Sequence, residues 1–330
     1  MESRYFDPTS ALNPGLFRSM ILVISGIYIV SVVAIILLNL AKKLSPKKSE
    51  ELKLRMISWA ILIGVIGLPI VLGAVPSMVG MMILSVFCFN EYARAVGLFR
   101  EKTMVGLCLF GIIAVNFAAI DAWYTFFNAL AIQIACLIAG SAILKDQPKG
   151  YTERVGLAVF GFIFFGYGLA HVSYLANDTN FRAVILFLFL LTEMNDVFAY
   201  ITGHLFGKEK LIPNTSPGKT RAGAIGAVIL TTISTVFLGK IVFAETRLDN
   251  IALLLPLGLI LTTMGQLGDL MLSSIKRDIG VKDLGNVIPG HGGFLDRFDS
   301  LVLTAPAVFH FLNFYDGINI QNLNRLITGS

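Results

Sequence analysis

The chain has 330 residues, 55% of them hydrophobic and 14% charged, with a mean hydropathy of +0.77. An ordinary soluble domain carries about 25% charged residues, so this composition and its repeated long apolar runs exclude a soluble protein with one large core. The net charge of +5 is not a nucleic-acid signal, because the cations sort by loop along the chain.

The first 16 residues are polar and hold no evident cleavable signal. Ten apolar segments follow: 17–40, 56–75, 77–92, 103–120, 123–144, 156–175, 183–206, 222–243, 251–272 and 300–315. The predicted fold is all-α, a polytopic integral membrane protein with about ten transmembrane helices. The third and last segments are short for a span. Pro76 and the Asp121-Ala122 pair are expected to turn tight helical hairpins. Cys88, Cys108 and Cys136 lie inside apolar runs without a CxxC partner and read as small apolar residues.

Loop charge tests the segmentation. Loops 41–55, 93–102, 145–155, 207–221 and 273–299 hold 20 of the 26 lysines and arginines. The positive-inside rule places these loops in the cytoplasm and both termini outside. The most basic loop, 41–55, reads first as an orienting loop, with attraction to anionic lipid headgroups as its other reading.

Two polar clusters interrupt the apolar pattern. The larger, 273–299, holds Lys276, Arg277, Lys282 and Arg297, with Asp278, Asp283, Asp296, Asp299 and His291 among several glycines. Such a stretch must meet water or line a cavity, and its mixed charges suit phosphates together with a divalent metal. Asp296 and Asp299 would share a face if helical. His291, flanked by Gly290, Gly292 and Gly293, suits a phosphate donor or a structural hydrogen-bonder better than a base. Glycine amides there could approach phosphate closely. The second cluster starts with Glu193, Asn195 and Asp196 at the end of an apolar segment. It ends in Ser216-Pro217-Gly218-Lys219-Thr220. Gly218-Lys219-Thr220 is not a P-loop, because proline stands at 213 and no strand precedes it. Asp269 reads as a helix-end carboxylate or a metal ligand. His204 and His310 read as structural. His171 reads either as a core histidine or as part of a lipid pocket.

The fixed positions Ser273, Ile275, Lys276, Arg277, Lys282, Asp283, Gly285, Pro289, His291, Gly292, Gly293, Phe294, Asp296, Arg297, Phe298 and Asp299 resemble the signature of phosphatidate cytidylyltransferases (CDP-diacylglycerol synthases). Ser216-Pro217-x-Lys219-Thr220 resembles a second motif of that family. Arg221-Ala222 departs from the family's usual Trp-Glu, and Val197 departs from the Thr or Ser usual after Asp196. The resemblance starts near residue 56. It divides the chain into an N-terminal extra span with its basic loop, 1–55, and a membrane-embedded cytidylyltransferase domain, 56–330.

The resemblance implies transfer of a cytidylyl group from CTP to phosphatidic acid, giving CDP-diacylglycerol and pyrophosphate. It implies Lys219, Lys276, Arg277, Lys282, Asp283, His291 and Arg297 as catalytic residues. Asp196, Ser216, Thr220, Gly292 and Gly293 would bind substrate. Asp269, Asp296 and Asp299 would hold Mg²⁺, with a second cation beside it. It also implies a homodimer in contact with membrane lipids, in a bacterial inner membrane or endoplasmic-reticulum type membrane. Two other readings are a CTP-dependent enzyme for another lipid (a polyprenol kinase or an archaeal-type lipid cytidylyltransferase) and, more remotely, an ion or solute transporter.

Overall fold

A computed structural model describes residues 5–12, 15–41, 45–285, 292–315 and 325–329. Helix α1 (Pro8–Leu12) leads into α2 (Leu16–Leu40), which is apolar on all sides and largely exposed, as a lipid-facing helix is. Helix α3 (Pro46–Leu72) begins with proline, whose missing N–H has no helical partner at that position. The basic segment expected as a loop is therefore helical from Pro46, and α3 runs unbroken past residue 55.

The break before α4 (Ala74–Ala95) falls at Gly73, not at Pro76. Gly73 has φ 142°, and a side chain there would collide with the Tyr5 carbonyl. Pro76 lies in the first turn of α4, where a proline is tolerated. The third apolar segment is thus a helix of 22 residues, long enough to span. A 3-10 turn, Leu98–Arg100, precedes α5 (Lys102–Ile120). The expected Asp121-Ala122 turn joins α5 to α6 (Tyr124–Ile143), with Ala122 at φ 55°. The next span consists of α7 (Tyr151–Gly161), a π-helical stretch Phe162–Gly168 and α8 (Leu169–Leu175).

Helix α9 (Phe181–Phe206) leads to a two-stranded antiparallel hairpin where the sequence suggested a plain loop. Its strands are β1 (Lys210–Ile212) and β2 (Ser216–Thr220), with Lys210 opposite Thr220 and Ile212 opposite Ser216. Helices α10 (Arg221–Val242), α11 (Ile251–Asp278) and α12 (Asp299–Tyr315) complete the chain. Helix α11, at about 42 Å, exceeds the hydrocarbon thickness, so its last turns project with Lys276 and Arg277.

Among the described residues nine helices are long and apolar enough to cross a membrane, with 151–175 counted as one. Helix α12, with 17 residues, is the short one, and Val302, Ala305, Val308 and Phe309 are buried in the bundle. The core gathers Phe89, Tyr92, Phe127, Phe162, Phe165, Phe187 and Phe309. Small residues allow close helix packing: a Cβ on Gly161 would meet the Tyr92 ring at 2.8 Å. Asn195 ties three helices, its Oδ1 accepting from Thr262 Oγ1 at 2.6 Å and Thr231 Oγ1 at 3.4 Å.

Connections gather at two faces, in the alternation expected from loop charge. At one face Glu101 pairs with Lys145 at 2.6 Å and Arg154 at 3.7 Å. There too Arg277 Nε donates to Thr215 O at 3.2 Å. At the other face Arg182 Nη2 donates to Asp7 O at 2.7 Å, Asn180 Nδ2 to Val242 O at 3.2 Å and Asn177 Nδ2 to Ala119 O at 2.8 Å.

Candidate active site

A cavity of about 740 Å³ opens where the hairpin, α9, α11 and α12 meet. Its polar wall is built from Glu193 and Asp196 on α9, Lys210, Lys219 and Thr220 on the hairpin, and Asp269 and Lys276 on α11. Asp283, Asp296, Arg297 and Asp299 complete it. The sequence clusters thus converge, although 52 residues separate Thr220 from Ser273.

Each position has a local cause. Thr220 caps α10, its Oγ1 accepting from Gly223 N at 3.1 Å, which ends the hairpin and sets Lys219 at the cavity. Lys219 Nζ lies 2.5 Å from Asp269 Oδ2. Asp269 is well inside α11 rather than at its end, and Lys276, two turns on, shares its face. Lys276 Nζ lies 3.0 Å from Asp296 Oδ1. Gly268 lets α12 start against α11, since a Cβ there would sit 2.5 Å from Asp299 O. The Ser300 hydroxyl lies 3.1 Å from Asp196 Oδ2 and 3.5 Å from Asp299 Oδ1, so it joins two wall carboxylates.

Several expected site residues lie elsewhere. The Arg277 guanidinium turns to the Thr215 and Val281 carbonyls and does not line the cavity. Lys282 is exposed and outside the lining. Ser216 pairs with Ile212 in the hairpin. Gly292, at φ 83°, and Gly293 lie beside the cavity rather than in its wall. The Gly293 amide donates to Asp296 Oδ2 at 3.1 Å, which engages the donor expected for phosphate. His291 falls outside the described residues.

The trio Asp269, Asp296 and Asp299 is not assembled as a ligand set. Among the described residues no group of three or more His, Cys, Asp or Glu stands in metal-holding geometry. Asp296 is turned into its own loop, where besides Lys276 it accepts from Leu284 N at 2.9 Å and Gly293 N, and Asp196, Asp269 and Asp299 are likewise not gathered as a three-ligand set among the described residues. The cavity-facing carboxylates Asp196, Asp269 and Asp299 act on one another electrostatically. Their hard oxygen donors suit Mg²⁺, which commonly takes one or two carboxylates and draws its other ligands from phosphates and water. Charge balance points the same way, since the lining carries six carboxylates against four lysine and arginine cations.

Trp59, Tyr200 and Glu91 escaped the sequence reading. Trp59 and Tyr200 line the cavity, as does His204, which was read as structural and stacks on Tyr200 at 6.2 Å. Glu91, inside α4, accepts from Phe294 N and Leu295 N. A carboxylate close to the end of an apolar segment was its one signal.

Residues 53–315 match the family described as the Cytidylyltransferase family. The chain is 39% identical over 183 residues to the uncharacterized protein YnbB of Escherichia coli, covering 54% of this chain and 60% of the relative. It is 41% identical over 178 residues to a phosphatidate cytidylyltransferase of Staphylococcus haemolyticus, covering 53% of this chain and 67% of the relative. It is 49% identical over 180 residues to the enzyme of the same name from Staphylococcus saprophyticus, with the same coverage. The chain therefore belongs to the cytidylyltransferase family and is an integral membrane protein.

Proposed function

We propose that the protein transfers the cytidylyl group of CTP to phosphatidic acid, forming CDP-diacylglycerol and pyrophosphate for phospholipid biosynthesis. The observation that carries this reading is the cavity at one face of a membrane bundle, where cations from the hairpin, α11 and the following segment meet the carboxylates of Asp196, Asp269 and Asp299. Membership of the family and the relatives' names support it.

A lipid phosphate oxygen would bond to the α-phosphorus of CTP. The bond from that phosphorus to the β-bridging oxygen would break, and its electron pair would leave with pyrophosphate. The lipid phosphate is already anionic near neutral pH, so no side chain has to act as a strong base. Lys219, Lys276 and Arg297, held on different elements, would orient the phosphates in line. Mg²⁺ with a second cation, held by Asp196, Asp269 and Asp299, would neutralise charge on the triphosphate. The basic loops on the cavity side support a cytoplasmic mouth. The homodimer implied by the resemblance belongs to the same proposal.

The test is turnover of CTP and Mg²⁺ by the purified protein in phosphatidic acid micelles. Label from the α-phosphate in the lipid product supports cytidylyl transfer. Label from the γ-phosphate points instead to a CTP-dependent lipid kinase, and no labelled lipid rejects both. For orientation, a Lys282→Cys protein that reacts with an impermeant thiol reagent outside intact cells would overturn the cytoplasmic mouth. Cross-linking in the membrane tests the homodimer.

A further inference from the structure

We propose that Glu91 is the positioning residue of this cavity, which it serves without entering it; the proposal rests on the transfer reaction above. Glu91 stands one turn before the end of α4, after a long apolar run and between Asn90 and Arg94. Its Oε1 accepts from Phe294 N at 3.0 Å and its Oε2 from Leu295 N at 2.8 Å. The preceding amide, Gly293 N, goes to Asp296 Oδ2 at 3.1 Å. Three successive N–H groups thus form an anion nest, filled by two carboxylates of the protein itself.

The fit is close. A Cβ on Gly285 would lie 2.7 Å from Glu91 Oε1, and one on Gly293 would overlap the carboxylate. One turn earlier on α4, Phe87 stacks on Phe294 at 5.2 Å and 16°. No lysine or arginine among the described residues pairs with Glu91. A carboxylate inside a span with only backbone donors is costly, and such residues are retained for function. What Glu91 secures is the placement of the segment that delivers Asp296, Arg297 and Asp299. These are cavity residues, and Glu91 is not.

The test compares Glu91→Gln and Gly285→Ala with the wild-type protein. Glutamine keeps the size but sets an amide NH₂ against a backbone N–H. Alanine at 285 keeps the charge and displaces the carboxylate from the other side. Misplacing catalytic groups by about 1 Å can cost about a hundredfold, so kcat should fall at least about tenfold in both variants. KM for CTP should change by a smaller factor than kcat, because Lys219, Lys276, Asp196 and Asp269 stand on other elements. Melting in detergent should fall only modestly, because glutamine can still accept one of the two N–H groups, and the Phe294 and Leu295 amides should exchange faster. A folded variant with unchanged kcat would overturn the proposal. So would equal losses in kcat and 1/KM accompanied by a large drop in melting. If the wild-type protein transfers no label, the reaction reading fails, and unchanged amide exchange in Glu91→Gln would separately refute the positioning role.

Discussion

At one face of the molecule Asp121, and at the other Asp296, each accepts two backbone N–H groups. Asp121 Oδ1 takes Ile327 N at 2.6 Å and Thr328 N at 3.1 Å, and its Oδ2 takes Thr328 Oγ1 at 2.5 Å. Asp296 Oδ2 takes Leu284 N and Gly293 N, and its Oδ1 faces the Lys276 ammonium. The local motif is the same and the surroundings differ. Asp121 takes the Thr328 hydroxyl, feels the Arg325 charge on the same segment, and docks that segment away from the cavity. Asp296 meets a cation beside a cavity with Asp196, Asp269 and Asp299 in its wall. A carboxylate engaged by backbone donors builds structure, and one left facing a cavity can act on a ligand.

This comparison ranks the carboxylates. Asp196→Asn should have the largest effect on turnover, at least about a hundredfold, the scale of losing one preorganised electrostatic group. Its melting in detergent should be nearly unchanged, because its hydrogen bond from Ser300 Oγ survives the exchange. Near-normal label transfer by a folded Asp196→Asn protein would break the ranking. Asp296→Ala should also lose activity, but with a stability loss on the order of 3 kcal/mol, because Lys276 is left unpaired in a part-buried site. Thermal unfolding together with turnover distinguishes the two. If Asp296→Ala melts like the wild type, the building role assigned to it is wrong.

The contrast also explains what the sequence could convey. Apolar runs, loop charge and the two polar clusters were legible because each is local in sequence. The 3-residue and 5-residue strands of the hairpin were not, since Gly, Pro and Asn in 213–218 read equally well as an open loop. Glu91 was missed because its partners lie more than two hundred residues away. Asp296 was read as a metal ligand from the family resemblance and the chemistry of a carboxylate. Its side-chain direction depends on where Leu284 and Lys276 come to lie, which no spacing rule reports. Asp269 was placed at a helix end because apolarity stops near residue 272, whereas α11 continues in polar residues to Asp278.

A smaller effect is expected at Lys219. Its pair with Asp269 is partly exposed, at 21% and 23%, so Lys219→Ala should cost at most about 1 kcal/mol of stability. A charge-assisted phosphate contact is worth about 1.5–3 kcal/mol, so kcat/KM for CTP should fall about tenfold to a hundredfold. An unchanged kcat/KM would remove Lys219 from the site.

The smallest effect on turnover is expected at Asp121, and it isolates the building role. Burial alone would raise this carboxyl. Hydrogen bonds from Thr328 and Ile327 and the Arg325 charge outweigh that, holding it below the ordinary 3.8. A lowered folded value means that its stabilisation is complete above the ordinary range and fades as pH falls through the folded value. What should loosen is the docked segment 325–329, since Arg325 stacks over the Trp123 ring at 4.0 Å. Trp123 emission, read in a Trp59→Phe background because the chain has two tryptophans, reports that docking. The emission should shift on acidification below the ordinary aspartate range. In Asp121→Asn it should sit near the released value at every pH. Label transfer by Asp121→Asn should stay within about a factor of two, because Asp121 does not line the cavity. A tenfold loss of transfer in a folded Asp121→Asn protein would show that the two faces are coupled, and the division between building and acting carboxylates would fail.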